Sequence, residues 1–175
     1  MKTKRITLLA LLSVAAAAGL RAANATPVSR IEVIFSHPEN FTDAANEQRG
    51  SDFGRDGNLA ELKTYLERQA TALVPEGQKL TVTVTDVDLA GEIEPWRSGQ
   101  GHDVRIVKDI YSPKIDLSFK LTDASGAVVK EGERKLRNPT FLMDIQPNRD
   151  EPLVYEKALL KNWVRDEFSP AKATK

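Results

Sequence analysis

The 175-residue sequence contains no cysteine and only two histidines. Without cysteine the chain can form no disulfide, no thiolate nucleophile and no cysteine-ligated metal site, and it offers no N-terminal cysteine for a lipid. Neither His37 nor His102 has a second histidine or a glutamate at metal-ligand spacing. The sequence therefore predicts no bound cofactor.

Signatures of catalysis and of nucleic-acid binding are also missing. The chain has no Gly-x-Ser-x-Gly elbow, no P-loop and no dinucleotide-binding fingerprint. Basic and acidic residues number 25 each and are interspersed, whereas a surface for nucleic acid needs a clustered basic stripe. We therefore expect no nucleic-acid partner.

The one long apolar run lies at the N-terminus, over residues 6–20, behind three basic residues and ahead of an Ala-Asn-Ala sequence that ends at Ala25. This order is typical of a secretory signal peptide, and the run is shorter than the ~20 residues of a spanning helix. An uncleaved anchor is the alternative, which Arg21 within the following segment disfavours. We expect a signal peptide over residues 1–25, and a mature, mildly acidic periplasmic domain over residues 26–175 with no stable membrane span.

The strongest secondary-structure pattern lies in residues 79–91. Apolar residues alternate with threonines over positions 80–85, which predicts a half-buried strand with one face in the core. The same alternation, continued, would bury the carboxylate of Asp86 without a partner. We therefore predict a β-bulge between Val84 and Val87.

Similar patterns predict four further strands and two helices. The strands are predicted at residues 30–35, around Val104 and Ile106, at 115–121 and at 128–136, with a turn at 123–126 joining the last two. The first helix is predicted over residues 59–74 with Asn58 as its N-cap, and the second from Asp150 to Phe168, with a buried stripe at Leu153, Leu160, Trp163, Val164 and Phe168.

This order of elements favours an α+β fold. We expect a two-layer sandwich with a mainly antiparallel sheet of about five strands and both helices on one face. The first helix connects the first strand to the strand that starts at Lys79, so these two strands are predicted to be parallel neighbours.

The candidate binding residues lie in a loop rich in glycine between the second and third predicted strands. Trp96 and Arg97 follow Pro95, and His102 and Asp103 end the loop. Tryptophan and arginine are the residues that most often anchor a partner when they are desolvated. The loop therefore predicts a site for an envelope protein or a small ligand in a non-enzymatic binding module. The alternative is that Trp96 is a core residue at the edge of the sheet.

A second class of function remains open, namely a carboxylate-based hydrolase or a divalent-metal-dependent enzyme. Its candidate residues are acidic and lie around the strand end, at Asp86, Asp88, Glu92, Glu94 and Asp103. The spacing does not fit an EF-hand, because the fifth ligand position is Ala90 and the twelfth is Arg97. Solvated carboxylates at a strand end explain the same pattern without a metal.

Several motifs together resemble a family of secreted envelope proteins of Gram-negative bacteria that is known only as a domain of unknown function. The motifs are VTVTDVDLAG at 82–91, EPWR at 94–97, DVRIV at 103–107, YSP at 111–113 before IDLSF at 115–119, EGERKL at 131–136 and YEK at 155–157 before Trp163. The resemblance covers nearly all of the predicted mature chain. It implies a single domain in the bacterial envelope and transfers no activity or site.

Overall fold

The computed structural model describes residues 29–45, 52–94, 105–144 and 150–169, so the predicted signal peptide lies outside the described residues. The helices and strands in chain order are β1 (Ile31–Phe35), α1 (Asp52–Leu73), β2 (Lys79–Asp88), β3 (Glu92–Ile93), β4 (Arg105–Ile106), β5 (Lys114–Thr122), β6 (Val128–Arg137) and α2 (Val154–Phe168). Single 3-10 turns lie at Pro38–Asn40 and Phe141–Met143. Within these ranges no helix combines the length and the apolar character needed to cross a bilayer.

Four strands form the main sheet in the order β1-β2-β5-β6, and β3 pairs with β4 in a separate two-stranded sheet. β1 and β2 run parallel, while β5 is antiparallel to both of its neighbours. The structure therefore confirms an α+β fold with two helices and a mainly antiparallel sheet. It also confirms that the two strands joined by the first helix are parallel neighbours.

β2 has the alternating burial that its sequence predicts. Leu80, Val82 and Val84 are at most 3% exposed, and the threonines between them lie on the more exposed face. The pairing of β2 with β5 shifts register between Val84 and Asp86, which confirms the predicted bulge. The shift returns Val87 to the core, where it is 1% exposed, and leaves Asp86 outside it.

One hydrophobic core joins the inward residues of the sheet to both helices. The helices contribute Leu59, Leu62, Leu66 and Ala70 from α1, and Leu159, Leu160, Trp163 and Val164 from α2. Trp163 packs edge-on against Phe119 of β5 and against Phe168, each at a centroid distance of 5.7 Å. Burial of these apolar side chains is the main term that stabilises the fold.

The strand predicted around Val104 and Ile106 does not join the main sheet. Val104 lies outside the described residues, and β4 is two residues long and pairs with β3. The chain then turns, because the Tyr111 backbone N–H donates to the carbonyl of Lys108 at 3.0 Å, and Ile110 is left 71% exposed. The main sheet therefore has four strands instead of about five, since this segment turns before it is long enough to cross the sheet.

α1 begins at Asp52, well before its predicted start, although Gly54 and Gly57 lie in its first turns. Asn58 was the predicted N-cap, but it lies inside the helix and is 8% exposed. Its side-chain amide donates to the carbonyl of Ala44 at 3.0 Å. This tertiary hydrogen bond holds Asn58 inside the helix, which continues toward the N-terminus as far as Asp52.

α2 begins at Val154, after Leu153, which has a left-handed conformation with a φ of 57°. Asp150 is therefore not its N-cap, and the prediction of that boundary was wrong. The predicted buried stripe is confirmed, since its five residues lie in the core cluster or pack against it. The pattern missed Glu156 and Lys157, which are charged and also buried, at 2% and 5% exposed.

The β5–β6 hairpin turns at residues 123–126 as predicted. Gly126 has a φ of +86°, which a residue with a side chain rarely adopts. The Asp123 carboxylate accepts the backbone N–H groups of Ser125 and Ala127 at 2.8 and 3.0 Å. These hydrogen bonds, with that of the Ser125 hydroxyl, lower the pKa of Asp123 below its usual value.

Candidate functional site

A cleft opens at the carboxyl end of the parallel β1–β2 pair. After β1 the chain turns at His37, whose φ is 54°, and residues 41–45 then run beside the end of β2. The Asp43 backbone N–H donates to the carbonyl of Val87, and the Leu89 N–H donates to the carbonyl of Asp43, both at 2.9 Å. The segment therefore extends the parallel edge beyond β1 and forms one wall of the cleft.

The cleft has a volume of about 390 Å³ and a mixed lining. Its lining residues are Pro38, Glu39, Phe41, Thr42, Asp43, Ala44, Ala45, Arg55, Asp88, Glu92 and Ile93. Glu39 and Glu92 are exposed, whereas Phe41 is half-buried and Ile93 is buried. A concave surface of this size, with apolar side chains beside charged groups, can hold a small ligand.

Arg105 of β4 connects the segments around the cleft. Its Nη1 donates to Asp43 Oδ2 at 2.8 Å and to the Gly91 carbonyl at 2.9 Å. Its Nη2 donates to Asp43 Oδ1 at 2.9 Å and to the Ala45 carbonyl at 2.6 Å. The Arg105 and Asp43 side chains are 15% and 23% exposed. This bidentate, partly buried pair fixes the position of residues 43–45, which form the wall.

Gly91 allows β3 and β4 to approach this pair closely. Its φ is +84°, and a Cβ atom at this position would lie 2.8 Å from the backbone oxygen of Ile106. A residue with a side chain would therefore push β4 away from β2. The glycine at the end of the motif in residues 82–91 thus has a structural role at the site.

Glu156 of α2 lies behind the cleft, where its carboxylate accepts the backbone N–H of Ala90 at 2.6 Å. Burial raises the pKa of Glu156, and the hydrogen bond from Ala90 and the charge of Arg105 only partly offset the rise. The Asp43 charge acts in the same direction as burial. This carboxyl connects α2 to the β2–β3 turn.

Three acidic residues of the alternative metal-site hypothesis, Asp86, Asp88 and Glu94, have separate partners, and Asp103 lies outside the described residues. Asp86 accepts the Thr42 backbone N–H at 2.7 Å and the Thr42 hydroxyl at 2.9 Å. Asp88 pairs with Lys114 at 2.6 Å, and the buried Glu94 pairs with Lys108 and accepts the Tyr111 hydroxyl at 3.1 Å. Burial and the hydrogen bond to Glu94 raise the pKa of Tyr111. Within the described ranges no three histidine, aspartate or glutamate residues could hold a metal ion.

The binding residues predicted from the sequence, Trp96, Arg97, His102 and Asp103, all lie outside the described residues. The described segments on either side of them are β3 and β4, which pair with each other. β3 lines the cleft, and β4 supplies Arg105. The described segments that flank these four residues therefore lie beside the cleft.

Sequence reasoning missed three residues that organise the site, namely Asp43, Arg105 and Glu156. Asp43 lies in a polar segment without a period, and Arg105 alternates with Val104 and Ile106 as a polar residue of a predicted strand would. Only Glu156 had a usable signal, because it lies one helical turn before Leu160 in the buried stripe of α2. A charged residue at such a position indicates a specific buried partner.

The fold and the site define a small α+β protein with a mixed polar and apolar cleft. A family model matches residues 29–166, so the chain belongs to the family described as Protein of unknown function (DUF3016). This confirms the resemblance to a family of unknown function. No curated protein gives a significant match to the sequence.

Two solved structures are similar over most of the chain. One is a dodecamer of a PelC variant from Paraburkholderia phytofirmans, with 13% identity, coverage of 82% of this chain and 88% of that chain, and a TM-score of 0.38. The other is a minor lipoprotein from Acinetobacter baumannii, with 8% identity, coverage of 78% and 84%, and a TM-score of 0.27.

Proposed function

We propose that this chain is a non-enzymatic binding protein of the bacterial cell envelope, and that its cleft holds a small ligand with an apolar body and a positively charged group. The lining of the cleft is the observation that carries the proposal. Phe41 and Ile93 provide apolar contact, and the exposed carboxylates of Glu39 and Glu92 lie on the same cleft.

The balance of charges favours a cationic group on the ligand. Asp43 and Asp88 are compensated by Arg105 and Lys114, at 2.8 and 2.6 Å. Arg55, which also lines the cleft, lies 3.2 Å from Asp56, and its charge also acts on Glu39. The exposed carboxylates on the cleft are those of Glu39, which lies 3.3 Å from the His37 ring, and of Glu92. With Asp43 and Asp88 they give the lining more acidic groups than basic ones, since Arg55 is the basic residue among the lining residues.

The first experiment compares two probes that share an apolar chain and differ in charge, namely octylammonium and octanoate below their micellar concentrations. We expect octylammonium to bind the purified protein and octanoate to bind at least about tenfold more weakly, which corresponds to roughly 1.4 kcal/mol. Isothermal titration calorimetry measures both affinities. Equal affinities for the two probes would contradict the proposal.

Variants at the cleft identify the site of binding. Glu39→Gln plus Glu92→Gln removes both carboxylates and is expected to reduce octylammonium affinity about tenfold or more. The matched control is Glu76→Gln plus Asp166→Asn, which removes two exposed carboxylates outside the cleft. An equal loss in the control would place the binding elsewhere.

Trp96, Arg97, His102 and Asp103 are proposed as further contacts of the ligand or of an envelope partner. The position of β3 and β4 beside the cleft supports this role. Trp96→Ala plus Arg97→Ala belongs in the same titration, with circular dichroism to verify the fold. Unchanged affinity would remove the loop from the proposal and leave the cleft, because the two sets of variants are independent.

We further propose that the protein reaches the periplasm after removal of residues 1–25, as the order of basic, apolar and small residues predicts. Subcellular fractionation with N-terminal sequencing tests this. The expected mature chain begins at Thr26. A chain that keeps Met1 and remains in the membrane fraction would contradict it.

A further inference from the structure

β6 is the last strand of the main sheet, and no other strand of the described residues pairs with its free side. It is ten residues long, which makes it one of the two longest strands. A long strand with an unpaired edge exposes backbone N–H and C=O groups that can pair with another chain. What β6 can pair with depends on its side chains.

The outward face of β6 carries four charged residues, two acidic residues followed by two basic ones. Glu131 and Glu133 come first, and Lys135 and Arg137 follow at the same spacing of two. Lys120 pairs with Glu131 at 3.5 Å, and Asp116 pairs with Arg137 at 2.5 Å. Glu133 and Lys135 make no ion pair within the part of the chain that the structure describes.

From this order we infer that β6 pairs with β6 of a second copy of this chain, antiparallel and in one register, to form a homodimer with a continuous sheet. A two-fold axis at Arg134 places Glu133 opposite Lys135 of the second copy and Glu131 opposite Arg137. Residues opposite each other across an antiparallel pair share a face, so all four contacts join opposite charges.

Neighbouring registers fit less well. With the axis at Gly132, Glu131 of each copy would face Glu133 of the other copy. With the axis at Glu133, this residue would face Glu133 of the second copy. Like charges directly opposite each other destabilise a sheet. Among the registers in which outward residues lie opposite outward residues of the second copy, the charge order therefore favours the one with its axis at Arg134.

The inward face of β6 is compatible with this axis. Arg134 would face its own copy there, but its guanidinium already forms two hydrogen bonds to Glu167 of α2, at 2.8 and 2.9 Å. Lys130 pairs with the same carboxylate at 2.7 Å. Burial raises the pKa of Glu167, but the hydrogen bonds from Arg134 and Lys130 outweigh it and lower the pKa overall, so the partner carboxylate stays charged at neutral pH.

A charge-exchange experiment tests both the partner and the register. The basic variant is Glu131→Lys plus Glu133→Lys, and the acidic variant is Lys135→Glu plus Arg137→Glu. In either homodimer every outward pair would join like charges, whereas in a mixed dimer every pair would join opposite charges. We expect each variant alone to associate at least about tenfold more weakly than the wild type, and the equimolar mixture to recover dimers.

Sedimentation equilibrium at low salt measures these associations, and the wild-type dimer is expected to weaken as salt is added. The matched control, Glu32→Lys plus Glu76→Lys, has the same change in net charge as the basic variant but lies away from β6, so it should dimerise like the wild type. Recovery of dimers in the mixture also shows that both variants are folded. A monomeric wild type, or variants that associate as it does, would overturn the inference.

Discussion

Replacing Arg105 with alanine is expected to lower the free energy of unfolding by about 3 kcal/mol, because it removes one partner of a partly buried ion pair and leaves the other. Asp43 would lose both hydrogen bonds to the guanidinium, and the carbonyls of Gly91 and Ala45 would each lose a donor. For a chain of this length the loss corresponds to a melting temperature lower by about 6–12 °C. Differential scanning calorimetry measures it.

Two further variants separate the geometry of Arg105 from its charge. Arg105→Lys keeps the charge, but an ammonium cannot bind both carboxylate oxygens of Asp43 in the parallel arrangement of a guanidinium, so we expect an intermediate loss. Arg165→Ala is the control, since Arg165 is 57% exposed and pairs only locally with Asp166. Its effect should stay within about 0.5 kcal/mol. A variant Arg105→Ala that melts with the control would show that the pair does not hold the cleft wall.

The sequence predicted those parts of the fold in which neighbours along the chain determine the structure. The alternation in β2 and the cost of burying Asp86 together predicted a bulge that the register confirms. Likewise, Gly126 predicted the β5–β6 turn. In each case the physical cause lies within a few residues, so a local pattern carries it.

The site depends on contacts between distant residues, which a single sequence does not reveal. Arg105 and Asp43 are separated by 62 positions, and Glu156 and Ala90 by 66. A similar tertiary contact moved the start of α1, where Asn58 bonds to Ala44 instead of capping the helix. In each case a polar group needed a hydrogen-bond partner on burial, and this requirement outweighed the local structural preference of the sequence. The Trp96 loop, which falls outside the described residues, stays a prediction.

Glu156→Gln is expected to change how stability depends on pH. Burial raises the pKa of Glu156 in the folded protein above its usual value of 4.5. Between these two pKa values the folded state binds a proton that the unfolded state has lost, so the wild type loses stability as pH rises through this window. Glutamine stays uncharged, and its side-chain oxygen can still accept the Ala90 N–H.

The free-energy difference between the variant and the wild type is therefore the quantity to measure, by urea unfolding from pH 4 to pH 8. We expect it to shift in favour of the variant as pH rises, with a slope of at most about 1.4 kcal/mol per pH unit, the limit for one proton. Any cost of the new amide adds a constant that does not vary with pH. Taking the difference also cancels groups with lowered pKa values, such as Glu167 and Asp123, which destabilise both proteins in acid.

An exposed carboxylate provides the control for this profile. Glu76→Gln removes a charge from the surface, and its difference from the wild type should be flat over the same range of pH. A flat profile for Glu156→Gln as well would mean that the folded protein carries the Glu156 charge without cost. The hydrogen bond from Ala90 and the nearby Arg105 would then just balance burial, and the charge of Glu156 would have no net effect on folding.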